Sequence, residues 1–454
     1  VTIVDEESTR SHEVPQRRWA DRDGAPINVF ESTKTRRVSA SVETGTTVGD
    51  RCAITQGAKP FQVGKGDPPQ TREIVDTKPF VSERQESEAF RPLLSGSDIH
   101  RYVTRWDGDN WIKLGDWLAE PRYSANYDAP EKIVIRQTAD SLIATLDRDQ
   151  FVIRDNLYMV QPSEIPATVV LGILNSTLLN WYYQRVLNPE KGEALAQVKR
   201  GHIAQLPLPA DIASAAAGSP PEPARGDISG YDRGELYALL SDRIEEMLDL
   251  QAKRNALNLS LQDHLGTYAD GPTLAEVGLT QPPEGSADSI LQQTATERPN
   301  LRIGEATVVR QSEHTVEIRA TARYKPDDAD AHETDRWGYT ETDPLPAVRI
   351  TDLTATEADL IAAFVPVAVD EAGGFADFRE TATKTNSLLD RLRDLTLPAV
   401  ADVADGLERY LRTKARAEEL DESIERTDEL IDGIVYELYG LTAAEIEIVE
   451  EAAG

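Results

Sequence analysis

Two stretches of long helical periodicity constrain this chain most, because they lie far apart in the sequence. Residues 232–264 place Leu236, Leu239, Leu240, Ile244, Met247, Leu248, Leu250 and Leu257 on one broad apolar stripe. Residues 399–438 repeat the pattern with Val403, Leu407, Tyr410, Leu411, Leu420, Ile424, Leu430, Ile431, Ile434, Val435 and Leu438, and Gly440 follows as a C-cap. Such stripes bury themselves against a partner, so the spacing predicts a helical arm interrupted by an insert, 265–398. In that insert LRIGEATVVRQ and HTVEIRATARYKP read as a β-hairpin, while ATEADLIAAFVPVAV and GFADFRETATKTNSLLDRLRDL read as shorter helices.

The first half of the chain has a different texture. Short β-like runs, RCAIT (51–55), EKIVIRQT (131–138), SLIATLD (141–147) and FVIRDNLYMV (151–160), are separated by glycines, and the last three suggest an antiparallel meander. One amphipathic helix is predicted over 167–187, followed by the extended piece GHIAQLPLPADI (201–212). The Pro-, Ala- and Gly-rich stretch 210–230 reads as a hinge, and residues 1–45 as a linker or an arm from a missing upstream domain. The fold class is therefore α+β: a mixed, β-rich domain over 46–209, then a long-helix arm (231–264 and 399–450) carrying an α+β insert.

Charge narrows the function. The chain of 454 residues has a formal net charge of −31, yet residues 1–210 hold 26 Lys and Arg against 29 Asp and Glu, net −3, which leaves 22 against 50, net −28, for residues 211–454. A near-neutral half within so acidic a chain suggests a surface that meets a polyanion, since phosphate binding needs cations unopposed by carboxylates. The excess of arginine over lysine, 36 to 12, together with the acidity, resembles salt-adapted (halophilic) archaeal proteins. One cysteine, Cys52, and six scattered histidines exclude a disulfide framework and offer no metal-ligand spacing. No run of eighteen apolar residues occurs, and VTIVDEESTR is no signal peptide, so a soluble, cytoplasmic protein is expected. The opening Val, in mid-stride, reads as the start of a fragment.

Catalytic signatures are missing by inspection: no P-loop, no G-x-G-x-x-G after a strand, no G-x-S-x-G and no H-E-x-x-H. Gly66-Asp67-Pro68-Pro69-Gln70 approaches the loop by which adenine methyltransferases hold a flipped base, but Gln70 stands where a stacking aromatic is required, so it reads as a turn-rich loop. The carboxylate pairs Asp107 with Asp109 and Asp147 with Asp149 are expected to be solvated. Trp111, Trp117, Trp181, Tyr182 and Tyr183 are expected in the core rather than stacked on bases.

Several segments, taken in order, carry a family resemblance: Thr55-Gln56-Gly57-Ala58-Lys59-Pro60-Phe61 with Gly64-Lys65-Gly66, RPLLSGSDIHRY (91–102), WIKLGDWLAEPR (111–122), EKIVIRQTADSLIAT (131–145), LGILNSTLLNWYYQ (171–184) and HIAQLPLP (202–209). Over about 50–209 the chain resembles the TaqI-like C-terminal specificity domain, the DNA target-recognition module that follows the N6-adenine methyltransferase domain in many restriction-modification enzymes. Its ending, IDGIVYELYGLTAAEIEIVE (431–450), resembles that of type IIG restriction-methylation proteins. The resemblance implies that the chain recognises double-stranded DNA without modifying it. The methyltransferase, with its S-adenosylmethionine, is then a domain or subunit lying upstream. Two other readings stay open: a non-catalytic interaction or oligomerisation subunit, and a nuclease carried in the 265–398 insert.

Within that reading the DNA-binding candidates divide by chemistry, phosphate contacts positioning the protein and base-edge contacts specifying sequence. Lys59 and Lys65 lie among Gly57, Gly64 and Gly66, where the backbone can approach a phosphate. Arg101 and Arg105 follow the SGSDIHRY turn, within reach of Asp98 and Asp107 as competing local partners. Arg136 and Gln137 close a buried β-run and offer the guanine-type and adenine-type donor sets. Lys191, Lys199, Arg200 and His202, beside Gly192 and Gly201, make the most basic stretch of the chain, suited to a loop over the backbone.

Overall fold

The run Ile133-Val134-Ile135 offers solvent no polar position, which a strand tolerates only when both its faces are covered. A computed structural model of the chain bears this out; it describes residues 2–4, 9–11, 33–43, 45–188, 197–215, 230–283, 285, 289–328, 332–370 and 384–452. These fall into two units, Val1–Ala256 with Glu419–Gly454, and Leu257–Glu418.

In the first unit, strand Lys132–Arg136 lies inside a four-stranded antiparallel sheet ordered Ala144–Asp147, Lys132–Arg136, Leu157–Pro162, Cys52–Gln56. Side chains alternate between two cores because the strand repeat is two. Ile133, Ile135, Tyr158 and Val160 join the core on the helical side, while Val134, Leu157 and Met159 join a smaller core facing a second sheet. That second sheet is ordered Val152–Ile153, Phe90–Leu94, Trp111–Lys113, Val81–Ser82. Helix Ala167–Asn175, buried at all nine positions, covers the helical side, and Gly172 allows helix Arg233–Asn255 to approach, its absent Cβ lying 3.0 Å from Leu240 and Ile244 atoms.

The expected meander over 131–160 is therefore incomplete. Val152–Ile153 leaves it to pair in parallel with Leu93 and Leu94 in the second sheet. The single helix expected over 167–187 is also broken. Ser176 takes an extended conformation (ψ 153°), and its hydroxyl accepts from Leu179 N and donates to the Ile173 carbonyl, starting a new helix Thr177–Tyr182. The long helix expected over 232–264 stops at Asn255, and Ser260 caps a separate short helix, Leu261–Leu265, in the second unit.

A further correction concerns Asp147, expected to be solvated. It sits directly opposite Lys132 across the strand pair, with Nζ 2.6 Å from Oδ2 and both side chains fully buried. Backbone N–H groups of Asp149 and Phe151 also donate to its carboxylate. Asp107 and Asp109 are exposed. Within the stretch read as a linker, Thr33–Val42 is a helix whose Val38 and Val42 are fully buried. Helix Val400–Tyr439 ends at Gly440 (φ 66°), the left-handed cap read from the sequence. Its final part belongs to the first unit, where Asp421 pairs with Arg254 at 2.8 Å.

The second unit holds the expected hairpin, Arg302–Ser312 paired with Thr315–Tyr324, extended by Leu345–Thr351 and Leu279–Gln281. Helix Ala355–Asp370 supplies Leu360, Ile361, Phe364 and Val365 to a core of its own with Ile303, Val316, Ile318 and Ile350. No described helix is long and apolar enough to cross a membrane.

Candidate nucleic-acid interface

One end of the first unit's sheet gathers polar side chains. Arg136 is the last residue of its strand, opposite Leu157, and the Gln137 N–H donates to the Asn156 carbonyl at 3.0 Å. On the next strand Gln56 lies opposite Tyr158, and its amide donates to the Asp155 carbonyl at 2.6 Å. The turn Gly96–Asp98 packs against this end, held by Asp98 accepting from the Ser95 N–H at 2.7 Å. A Cβ on Gly96 would lie 3.1 Å from Asn156 Nδ2 and 3.9 Å from Arg136 Cγ, so the approach depends on glycine.

His100 follows in the two-residue strand Ile99–His100, paired with Val103–Thr104. Burial lowers its imidazole below the ordinary histidine range, and the neighbouring charges of Arg105 and Arg136 lower it further. Arg105 N donates to the Asp98 carbonyl at 2.8 Å, which holds it beside the turn Gly96–Asp98. Arg105 is exposed. Arg136 Nε and Asn156 Oδ1 are buried with no hydrogen-bond partner among the described residues. Buried polar atoms are nearly always satisfied, so one donor and one acceptor left unmatched are an exception within this end of the sheet.

The other sequence candidates fall around this end or are occupied elsewhere. Gly57 N donates to the Leu157 carbonyl, so the segment carrying Lys59 and Lys65 leaves from the same edge. Lys59 Nζ donates to Gln62 Oε1 at 2.6 Å, and Lys65 is exposed between Gly64 (φ 79°) and Gly66 (φ 88°). The loop is rigid because Gln70, fully engaged, donates to the Pro60 and Trp117 carbonyls and accepts from Gln62 N. Val198 N donates to the Gln137 carbonyl at 2.8 Å, which brings Lys199 to the same strand end. The stretch expected as a loop and then an extended piece is instead a helix over Arg200–Gln205, with only Pro207–Leu208 extended; Arg200 Nε donates to the Ile54 carbonyl at 3.1 Å and lines a cavity of about 520 Å³ with Gly49, Cys52, Thr55 and Ala204. Burial and the Lys199 charge lower the imidazole of His202, whose ring centroid lies 5.8 Å from that of Tyr183. Lys191 lies outside the described residues.

Arg101 has another partner than the nearby aspartates. Its guanidinium forms a two-pronged pair with Asp428 at 2.5 and 2.7 Å and donates to the Asn175 carbonyl at 2.8 and 3.1 Å. Trp111 and Trp117, expected in the core, are half-buried: Trp106 meets Trp111 and Phe151 edge-on at 5.2 and 5.1 Å, and Trp117 leans on Phe80. Trp181, Tyr182 and Tyr183 are buried.

His100 and Asn156 were not singled out from the sequence. His100 stands in the quoted SGSDIHRY segment, but only the fold brings Arg136 to it. Asn156, in the turn RDNL, has an ordinary turn composition that hides its contact with Gly96.

Residues 91–208 match the profile of the TaqI-like C-terminal specificity domain, which bears out the resemblance read over about 50–209. Two solved structures are similar to the chain. The Type IIL restriction-modification enzyme MmeI in complex with DNA is 12% identical, covers 46% of this chain and 29% of its own, and gives a TM-score of 0.24. The S subunit of a Type-I restriction-modification system from M. genitalium is 8% identical, covers 88% of this chain and 96% of its own, and gives a TM-score of 0.38. This chain thus spans less than a third of the length of MmeI. No curated protein matches it.

Proposed function

We propose that the chain recognises a specific sequence in double-stranded DNA and serves as the specificity part of a restriction-modification enzyme that methylates adenine. The observation that carries this reading is the sheet end itself. Arg105, Arg136, Gln137 and Asn156 gather there, two of their polar atoms have no partner among the described residues, and all four lie within the span matching the specificity-domain profile. Arg136 presents a guanidinium suited to the two acceptors of guanine, and Gln137 an amide suited to adenine, both from a strand end rather than a free loop. Lys59, Lys65, Arg105, Lys191, Lys199, Arg200 and His202 serve the phosphates and groove walls. Arg101 positions the hairpin that carries His100, since its donors are engaged by Asp428 and Asn175. Methyl transfer and S-adenosylmethionine belong to a methyltransferase domain or subunit outside these residues.

The test is salt-dependent binding of labelled duplexes by the chain. Each phosphate contact contributes a slope of about 0.9 in log K against log salt, so Lys199→Gln with Arg200→Gln should flatten the slope by about 1.8 for all sequences alike. A parent chain that binds no duplex above background, or binds all duplexes equally, would overturn the proposal. Labelled S-adenosylmethionine should leave no label on DNA with this chain alone and should label it once a methyltransferase partner is added.

A further inference from the structure

Residues 298–341 of the second unit carry a feature outside the specificity-profile match. Five cations stand over three aromatic rings there. Arg298 lies 4.5 Å from the Tyr324 ring centroid. Arg302, Lys325 and Arg323 lie 4.4, 5.0 and 5.3 Å from that of Tyr339. Arg336 lies 4.8 Å from that of Trp337, a side chain that is 63% exposed.

Strand register creates the crowding, because Arg302 and Arg323 are direct partners in the antiparallel pair, where like charges repel. Asp335 and Glu341 both pair with Arg323, whereas Arg302, Lys325 and Arg336 have no ion pair among the described residues. Arg323 Nε is nonetheless buried without a hydrogen-bond partner. The tip is preorganised. The Asp335 carboxylate accepts from the N–H groups of Trp337 and Tyr339 at 2.9 Å each, and Gly338 takes the left-handed turn position (φ 75°).

Two hollows flank this row. One, of about 300 Å³, is lined by Arg302, Arg323 and Trp337 but also by Glu305, Glu341 and Asp370, which disfavour an anion deep inside it. The other, of about 490 Å³, is lined by Arg298, Asn300 and Lys325 together with the carboxylates of Asp327 and Glu297, the latter engaged by the backbone and hydroxyl of Thr294. Cations without an ion pair among the described residues, in the half of the chain with net charge −28, invite a ligand that supplies several negative charges in a row. A guanidinium stacked on a ring keeps its edge N–H groups free and oriented for phosphate oxygens.

We infer that this face of the second unit grips the phosphate backbone of double-stranded DNA, independently of base sequence. The inference rests on the proposed DNA recognition for its choice of polyanion. Arg298, Arg302, Lys325 and Arg336 hold the phosphates, and Trp337 lies against a sugar.

The experiment compares the full chain with Arg302→Gln/Lys325→Gln and, separately, Arg336→Gln, which alters only an exposed tip. Labelled duplexes are titrated across a salt series, and binding from randomised duplexes is selected in parallel. The double variant should lose about 1.8 from the salt slope and the single variant about 0.9, with the selected sequence unchanged. Parent-like slopes in both variants, with parental sequence-selective binding intact, overturn the grip and leave the proposed function standing. A changed selected sequence overturns it too, by making the face a base reader. If the parent binds no duplex, the proposed function and this inference fall together, and binding of an acidic peptide instead would assign the face to a protein partner.

Discussion

Lys132 and Asp147 face each other fully buried, and the ion pair tolerates that position because backbone N–H groups and the Tyr127 carbonyl satisfy its remaining hydrogen bonds. Removing one partner leaves an uncompensated buried charge, which costs about 3–5 kcal/mol. Asp147→Ala should therefore lower unfolding free energy by about that amount in denaturant titration; a loss below 1 kcal/mol, the range of an exposed pair, would contradict the burial. Charge proximity is equally testable at His100. Its imidazole is lowered by burial and by two arginines, so the folded form favours the neutral ring. Stability from this residue is full above the ordinary histidine value of about 6.5 and is lost as pH falls through the depressed one. Arg105→Gln removes a like charge and should raise the His100 midpoint in an imidazole NMR titration. An unmoved midpoint would separate Arg105 from the sheet end.

Elements were legible where one period dominated. The strands over 132–136 and 157–162, the hairpin over 302–324 and the end of the last long helix at Gly440 follow from apolar alternation, paired runs and a glycine cap. What the sequence hid was set by single polar residues whose partners are distant. Ser176 breaks an otherwise unbroken apolar helix because its hydroxyl caps the next one, and Asp147 is buried because its opposite number in the register is a lysine. Ser176→Ala should cost about 1 kcal/mol through loss of that cap, read as a shift in the denaturation midpoint. The candidate site was half legible for the same reason. Arg136 and Gln137 follow from their place at the end of a buried run, whereas the engagement of Arg101 depends on Asp428, more than three hundred residues away.

At the scale of the whole molecule, the described residues of the two units form separate cores: the first unit's larger core includes helix Ala167–Asn175, its smaller one lies between its two sheets, and the second unit's core includes helix Ala355–Asp370. Chains with independent cores depart from two-state unfolding. Calorimetry should show more than one transition, with Asp147→Ala moving only the one that belongs to the first unit; a single transition moved as a whole would mean that the units unfold together.

The central claim is that Arg136 and Gln137 read bases from the end of a buried strand. It is tested most directly by selecting bound sequences from randomised duplexes with the parent chain and with Gln137→Ala. A fixed bidentate contact is worth about 1–3 kcal/mol of discrimination. The parent should therefore enrich one motif, and the variant should lose preference at one position while keeping its non-specific affinity. An identical motif from both proteins, or no motif from the parent, would contradict the account.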